Sequence, residues 1–319
     1  SVETHKRIRS WLNPTPCITS RQPFSNGSSL FYKAENFQHA AAATVSQSPP
    51  LMSRHIDPVS HVLRHVWQGG ELVEANDQVA TETPVALVYN GISHVVMMST
   101  PSDLEDFVTG FSLSEDIIAS TKQVLDVEEI VTDKGIELHM TIVAEAFSGL
   151  KERRRNLVGR TGCGLCGAES LDQAIPNPKS VINDLQFSHI ALQAAIVGLA
   201  NWQELQKQTG AVHAAAWCDR EGNILVVRED VGRHNALDKL IGAIARGIFT
   251  ADGFVLVTSR ASYEMVSKTA SANIALLAAV SAPTSLAIDL AKECGLTLVG
   301  FSRPDRHVIY ANGQRIESD

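Results

Sequence analysis

Cys163 and Cys166 form the pattern in this sequence that is best suited to covalent chemistry. Two residues separate them in the segment Gly162-Cys-Gly-Leu-Cys-Gly167. Five basic residues precede them: Lys151, Arg153, Arg154, Arg155 and Arg160. Nearby cations lower the pKa of a thiol and favour the thiolate, which is the nucleophile. Because glycines flank both cysteines, we expect an exposed, mobile loop that presents an activated sulfur.

Two other interpretations of the cysteine pair stay open, namely half of a zinc site and a thioredoxin-like redox pair. Zinc requires four ligands, and the other cysteines, Cys17, Cys218 and Cys294, are scattered singly. A redox pair normally opens a long helix, and here only a short helical piece follows. We expect Cys218 and Cys294, which lie in apolar stretches, to be buried and unreactive.

A zinc nucleobase deaminase would carry H-x-E followed by P-C-x-x-C. In this chain Gly162 stands where that proline would be, and His213 comes after the cysteines and is followed by two alanines. The sequence therefore argues against deaminase chemistry.

Three further stretches place arginine in a turn next to a strand or at the start of a helix. They are Glu229–Lys239 with Arg233 and His234, Val257–Glu264 with Ser259 and Arg260, and Val299–Arg306 with Arg303 and Arg306. Helix N-termini and the planar guanidinium group both favour anions. Each stretch taken alone is also typical of a capped helix or a surface turn with solvated charges. Together with the thiol loop, they predict a large anionic ligand and sulfur chemistry.

The first half of the chain has the patterns of hairpins and one helix. Two β-rich runs flank Asn90-Gly91, which is typical of a type I′ turn, and Val124–Val131 and Ile136–Val143 form a second such pair. Ser102 and Glu105 have the spacing of a capping box at the start of a helix.

The second half alternates helices and strands. We predict helices over Ser188–Gln208, Gly232–Ile248, Tyr263–Val280 and Ser285–Cys294. The predicted strands between and after them are Ala211–Cys218, Asn223–Arg228, Phe254–Val257, Leu296–Phe301 and His307–Tyr310. This order predicts an α/β layered sheet, whose ligands tend to lie at the carboxyl ends of the strands.

Composition limits the class of protein. The chain has 319 residues, of which 44% are hydrophobic and 19% charged, and its net charge is −8. It can bury a sizeable core, and its acidic balance argues against broad binding of nucleic acid. The N-terminus lacks an apolar signal core and no apolar run reaches about 18 residues, so we expect a cytoplasmic protein without a membrane span.

Several of these motifs together resemble the FdhD family. They are Pro84–His94, Gly110–Glu115, Gly159–Gly167, His213–Trp217, Glu229–Lys239 and Ser259–Val266. The resemblance runs from about residue 75 to the C-terminus. It implies a homodimeric sulfur carrier that accepts persulfide sulfur from a cysteine desulfurase. That sulfur passes to the molybdenum cofactor, bis(molybdopterin guanine dinucleotide), before the cofactor enters formate dehydrogenase.

The resemblance also implies particular residues. Cys163 matches the persulfide-bearing cysteine, with Cys166 as a second catalytic cysteine of unassigned role. The cofactor-binding segment matches Phe301, Ser302, Arg303, Pro304, Asp305 and Arg306, and guanine nucleotide is expected to mimic part of the cofactor. Some family members carry Cys and Gly at the positions of Ser302 and Asp305. Arg233, His234, Ser259 and Arg260 complete the predicted cofactor site, and no metal site is predicted.

The fold that the resemblance implies is a cytidine-deaminase-like layered α/β main domain with a smaller β-hairpin/helix N-terminal subdomain. We predict a flexible N-terminal tail over residues 1–56 and the smaller subdomain over 57–150. The basic CxxC loop follows over 151–170, and the α/β cofactor-binding domain over 171–319.

Overall fold

The computed structural model describes residues 55–155, 179–247, 249 and 252–317. Cys163, Cys166 and the predicted tail up to residue 54 lie outside the described residues. The strands are β1 Val59–Gln68, β2 Glu71–Ala80, β3 Thr83–Tyr89, β4 Ile92–Ser99, β5 Val124–Thr132, β6 Gly135–Ile142, β7 Phe187–Ser188, β8 His213–Asp219, β9 Ile224–Asp230, β10 Gly253–Val257, β11 Leu276–Ala279, β12 Thr297–Arg303, β13 Arg306–Ala311 and β14 Ile316–Glu317. The helices are α1 Leu104–Ser114, α2 Ala144–Arg155, α3 His189–Gly198, α4 Glu204–Thr209, α5 Arg233–Arg246, α6 Tyr263–Ser271 and α7 Ser285–Cys294.

A six-stranded mixed sheet forms the centre of the larger core. Its strand order is β13-β12-β11-β10-β8-β9. Strands β10, β11 and β12 are mutually parallel, β8 runs antiparallel to β10, and β9 runs antiparallel to β8. Strands β9, β10, β11 and β12 therefore run in the same direction and end at one edge of the sheet, which we call the carboxyl edge. Strands β8 and β13 begin at that same edge.

The core of this sheet follows from its apolar sequence. Every residue of β10 and β11 is buried, as expected for central strands covered on both faces. Helices α5, α6 and α7 pack in succession, and α5 lies on β8 and β9. The α/β class predicted from the alternating pattern is confirmed. The finer likeness to cytidine deaminases stays a prediction, as do the domain boundaries.

A second sheet of four strands, in the order β4-β3-β6-β5, holds a separate apolar cluster with α1. Both predicted hairpins are present in it. Asn90 and Gly91 have φ values of 46° and 79°, as a type I′ turn requires.

Helices α1 and α5 cross at two glycines and so join the two sheets. A Cβ atom on Gly110 would lie 1.7 Å from the Asp238 carbonyl oxygen, and one on Gly242 would lie 1.9 Å from that of Asp106. Only glycine therefore allows this approach. The Arg228 guanidinium also ties strand β9 to α1, because its Nη2 lies 2.6 Å from Asp106 Oδ2.

Three predictions about elements were wrong. The capping box is absent, because Asp103 takes φ 52° before α1 and Glu105 instead contacts Arg246, with 2.6 Å between Oε2 and Nη2. The predicted helix 263–280 ends at Ser271, where Asn273 takes φ 54°, and its remainder is the buried strand β11. The predicted helix 188–208 is two helices, separated by a 3-10 turn at Leu199–Trp202.

Strands β1 and β2 form an isolated two-stranded ribbon, which we call the arm. Each strand has ten residues, and within the described part of the chain each pairs only with the other. No helix among the described residues is long and apolar enough to cross a membrane.

Candidate functional site

The three predicted arginine turns all lie on the carboxyl edge. Arg233 follows β9, Arg260 follows β10, and Arg303 and Arg306 bound the β12–β13 turn. Neighbouring strands are about 4.8 Å apart, so the four steps from β12 to β9 span roughly 19 Å. The strand order thus distributes guanidinium groups along an extended edge, which suits an elongated polyanion better than a single phosphate.

The acidic residues of the Glu229–Lys239 motif hold the fold together. Asp230 is fully buried and accepts hydrogen bonds from Ser99 Oγ at 2.6 Å and Thr100 N at 3.0 Å. Its Oδ2 lies 2.7 Å from Lys239 Nζ, and both side chains are fully buried. Glu229 accepts the backbone N–H of Leu205 at 2.8 Å. This acidic pair therefore locks β9 to the smaller sheet and to α4.

Arg233 and His234, which begin α5, stand apart from that structural network. His234 Nε2 lies 2.7 Å from Glu264 Oε2 in the first turn of α6, and this hydrogen bond lowers the pKa of the Glu264 carboxyl. His213, at the start of β8, is half-buried. Burial, followed by the charges of Arg233 and His234, lowers the pKa of His213. Burial and these neighbouring charges therefore favour the neutral form of the His213 imidazole.

The turn after β10 is fixed by backbone contacts to the next strand connection. Ala261 pairs with Pro283 in an isolated bridge, and the Thr284 N–H donates to the Ala261 carbonyl at 3.0 Å. Ser259 is buried and donates from Oγ to the Arg260 carbonyl at 3.0 Å, whereas the Arg260 side chain is exposed. Arg260 is thus free to reach a ligand, and Ser259 shapes the turn.

The segment Phe301–Arg306 ends β12, forms a tight turn at Pro304-Asp305 and begins β13. Ser302 is buried, and the side chains of Phe301, Arg303, Pro304, Asp305 and Arg306 are exposed. Asp305 has φ 62°, a conformation that glycine adopts without strain. Asp305 therefore holds the turn in a backbone conformation that favours glycine.

Two neighbours hold this turn in place. The Phe301 N–H donates to the Ser281 carbonyl at 3.1 Å, which ties the turn to the connection after β11. The Asp305 N–H donates to Gln193 Oε1 at 2.8 Å, and Gln193 Nε2 lies 2.9 Å from His307 Nδ1. The exposed arginines are thus mounted on a braced turn.

Sequence reasoning missed several residues of this edge, including Gln193, His213 as a site residue, Thr258 and Glu264. Gln193 is remote in sequence from the turn it braces, so no local pattern marks it. The position of His213 at the start of a strand, beside the arginine turns, is a usable signal in the sequence. Thr258 accepts the Ala214 N–H at 2.9 Å and so joins β10 to β8 at this edge.

Two cavities lie at opposite edges of the six-stranded sheet. The one at the carboxyl edge has a volume of about 530 Å³ and is lined by Gln203, Gln206, Gly210, Ala211, Val212, His213 and Thr258. The other, of about 500 Å³, lies between the ends of α1, α5 and α6 and is lined mainly by apolar residues. The first has the more polar lining and lies at the edge that carries the arginine turns.

The motif Gly110–Glu115 has a structural role. Ser114 Oγ donates to Asp238 Oδ1 at 2.6 Å, and Lys268 Nζ donates to both oxygens of Asp238 at 3.0 Å. Burial raises the pKa of Asp238, and Lys268 opposes that shift. This buried cluster connects α1, α5 and α6 beneath the carboxyl edge.

The prediction for the two single cysteines is confirmed. Cys218 in β8 and Cys294 at the end of α7 are both buried free thiols. Burial raises the pKa of each thiol, which keeps both protonated and unreactive.

The fold is that of an α/β protein with arginine-bearing turns at the carboxyl ends of its strands. Residues 80–317 match the model of the FdhD/NarQ family. The chain therefore belongs to the FdhD/NarQ family, and the resemblance drawn from the motifs is confirmed.

Relatives of known name agree with this assignment. The chain is 53% identical to the sulfur carrier protein FdhD of Cupriavidus necator over 279 residues, which cover 86% of this chain and 97% of that protein. It is 51% identical to the sulfur carrier protein FdhD of Xanthomonas euvesicatoria, covering 83% of this chain and 95% of that protein.

A solved structure is also similar. It is described as a formate dehydrogenase accessory protein from Desulfotalea psychrophila. The TM-score is 0.63 and the identity 27%, with 81% of this chain and 99% of that chain covered.

Proposed function

We propose that this protein is a sulfur carrier that supports formate dehydrogenase. The observation that carries this proposal is the 53% identity, over 86% of the chain, to a relative named as a sulfur carrier. The basic, glycine-rich setting of Cys163 supplies the chemical reason, since it favours the thiolate.

The first step is a thiolate exchange. The Cys163 thiolate attacks the terminal sulfur of a persulfide on a cysteine desulfurase. The sulfur–sulfur bond of the donor breaks, its cysteine leaves as a thiolate, and Cys163 becomes a persulfide. In the second step the terminal sulfur passes, as neutral sulfane sulfur, to a reduced metal centre of the acceptor, which supplies the electron pair of the new metal–sulfur bond. Cys163 keeps both electrons of the broken sulfur–sulfur bond and returns to a thiolate. Cys166 stands close enough in sequence to protect or resolve Cys163.

The proposed acceptor is bis(molybdopterin guanine dinucleotide), a substrate that carries two pyrophosphates and two guanines. The guanidinium groups of Arg303, Arg306, Arg260 and Arg233 suit its phosphates, and an edge of roughly 19 Å suits its length. The braced turn Phe301–Arg306 is proposed to hold the guanine-dinucleotide end. A guanine nucleotide should therefore mimic part of this substrate.

The proposed partners are a cysteine desulfurase and formate dehydrogenase, and the proposed location is the cytoplasm. Two alternative functions are a thiol–disulfide oxidoreductase and a noncatalytic cofactor chaperone with a zinc-bound cysteine pair. Among the described residues, no group of three or more His, Cys, Asp or Glu side chains is placed to hold a metal ion. Metal analysis of the purified protein addresses the zinc alternative directly.

We also propose that the protein is a homodimer joined through the arm. Trp67 and Leu72 face each other across the arm and are 72% and 67% exposed, and Leu63 on the same face is 59% exposed. Strand β1 carries Arg64 without an acidic residue, and β2 carries only acidic charges. Arg64 Nη1 lies 2.7 Å from Asp77 Oδ2 within the same arm, so what an identical arm offers is the apolar complement.

The area of the arm agrees with that role. Ten residues at about 3.4 Å each and two strands about 4.8 Å apart give roughly 330 Å² on each face, or about 650 Å² on both. A standard interface buries about 800 Å² on each partner.

Activation of formate dehydrogenase by cysteine variants tests the proposed function. Cys163→Ser should fail to activate the enzyme in cells that lack the native sulfur carrier, while keeping the melting temperature of the wild type. Cys218→Ser and Cys294→Ser are the matched controls and should still activate it. Activation by Cys163→Ser at the wild-type rate would reject the proposal.

A further inference from the structure

The cavity at the carboxyl edge differs in chemistry from the arginine turns around it. Its volume of about 530 Å³ lies within the range of small-molecule sites, which is about 300–1,000 Å³. Of the described residues that line it, none is an acid, a lysine or an arginine. Such a lining suits an uncharged polar group, whereas the arginines suit phosphate.

Glutamine and histidine side chains set the hydrogen-bonding pattern of this cavity. Gln206 Oε1 accepts the Val212 N–H at 3.1 Å, so the Nε2 amino group is what Gln206 can offer to a ligand. Gln203, on the same wall, offers both an amide oxygen and an amide amino group. The cavity therefore presents donors and acceptors side by side.

His213 adds a flat ring to this lining. Its charged neighbours are Asp230, across the β8–β9 pair, and Arg233 and His234 on α5. A neutral imidazole offers one donor, one acceptor and a planar face to a ligand. These are the features that recognise a flat, polar heterocycle.

We propose that this cavity binds the 2-amino-4-oxopyrimidine ring that guanine and pterins share. The Gln206 amino group would donate to the ring oxygen, and the Gln203 amide oxygen would accept from the ring amino group. The inference rests on the proposed function, because the proposed substrate contains both kinds of ring. It deepens that function by placing one heterocycle beside β8, away from the Phe301–Arg306 turn.

Titration of phosphate-free probes into the full-length protein tests this placement. Guanosine and 6-hydroxymethylpterin carry the shared ring edge, and adenosine lacks it. We expect saturable binding of guanosine or of the pterin, and whichever binds more tightly identifies the source of the ring. Adenosine should bind at least roughly ten-fold more weakly, since it leaves the polar groups of the cavity unpaired.

Two variants locate the site. Gln206→Glu keeps the acceptor for Val212 but removes the amino group, and should weaken binding of the probe roughly ten-fold. Gln123→Glu is the matched control, because Gln123, in the 3-10 turn before β5, likewise accepts a backbone N–H, that of Ala119, on Oε1 at 2.6 Å. Ala211→Phe should fill the cavity and abolish binding.

Several results would overturn the placement. They are absence of binding by both probes, wild-type affinity in Gln206→Glu and Ala211→Phe, or an equal loss in Arg303→Ala/Arg306→Ala. The last result would place the heterocycle at the β12–β13 turn. Failure of the proposed function can be distinguished from failure of this placement. The proposed function is tested by activation of formate dehydrogenase with Cys163→Ser, and that variant should bind both probes normally.

Discussion

Residues within one sequence motif divide between structure and site. In Glu229–Lys239, Asp230 and Lys239 are fully buried partners, whereas Arg233 and His234 lie at the carboxyl edge near Glu264 and His213. A motif match therefore does not by itself identify the residues that contact a ligand.

Breaking the buried pair should be costly. Lys239→Met leaves the Asp230 carboxylate buried without its cation, and the free energy of unfolding should fall by about 3–5 kcal/mol. Lys207→Met is the control, because Lys207 Nζ lies 3.0 Å from Glu204 in an exposed pair that should contribute less than about 1 kcal/mol. Urea unfolding measures both, and equal losses would contradict the structural role of Asp230.

Removing the two arginines of the β12–β13 turn should weaken guanine nucleotide binding. Each charged hydrogen bond is worth about 1.5–3 kcal/mol, so each lost contact should reduce the affinity about ten- to a hundred-fold. Calorimetric titration of GDP into Arg303→Ala/Arg306→Ala measures the loss.

Arg220→Ala provides the control for that titration, because Arg220 is exposed in the β8–β9 turn at the opposite edge of the sheet. Unchanged affinity in the double variant would exclude the turn, and Arg233 and Arg260 would become the candidates.

The position of the arginine turns at the ends of strands could be predicted from sequence, but the residues that support them could not. Arginines in turns after strands are visible locally, because each turn is a short, continuous pattern. Gln193 braces Asp305 across 112 positions of sequence, and such a contact depends on the tertiary fold.

At the scale of elements, the α1–α5 crossing carries the connection between the two sheets. Glycines at both contact points allow backbone approach that any side chain would block. Ion pairs surround this crossing, because Asp106 of α1 pairs with Arg246 of α5, and Asp238 of α5 pairs with Lys268 of α6.

Gly110→Ala should therefore destabilise the protein. Its Cβ would meet the Asp238 carbonyl oxygen, and overpacking typically costs about 1–3 kcal/mol or more. Gly149→Ala, in α2, has no described atom within 4 Å of the new Cβ and should be neutral or stabilising by up to about 1 kcal/mol. Chemical denaturation distinguishes the two, and a neutral Gly110→Ala would contradict the close crossing.

Elements with a local signal were predicted well, and those set by burial were not. The Asn90-Gly91 turn could be predicted because its dihedral angles demand those residues. The sequence of strand β11, Leu-Leu-Ala-Ala, predicts a helix, because a short buried strand and a buried helix have the same apolar pattern. The capping box failed because Glu105 pairs with Arg246, a distant residue.

At the scale of the whole molecule, the arm should determine the oligomeric state. Trp67→Asp/Leu72→Asp should convert a dimer to a monomer in analytical ultracentrifugation, because it places carboxylates in the apolar contact. Leu125→Asp, at an apolar residue that is 65% exposed on β5, is the matched control and should stay dimeric. A monomeric wild type, or a dimeric double variant, would contradict the role of the arm.

The central claim is that Cys163 carries the sulfur, and trapping the persulfide tests it most directly. Wild-type protein is incubated with a cysteine desulfurase and cysteine, alkylated, digested and analysed by mass spectrometry. We predict one added sulfur atom on the peptide that contains Cys163, retained in Cys166→Ser and absent in Cys163→Ser. An added sulfur elsewhere in Cys163→Ser, or none in the wild type, would contradict the account.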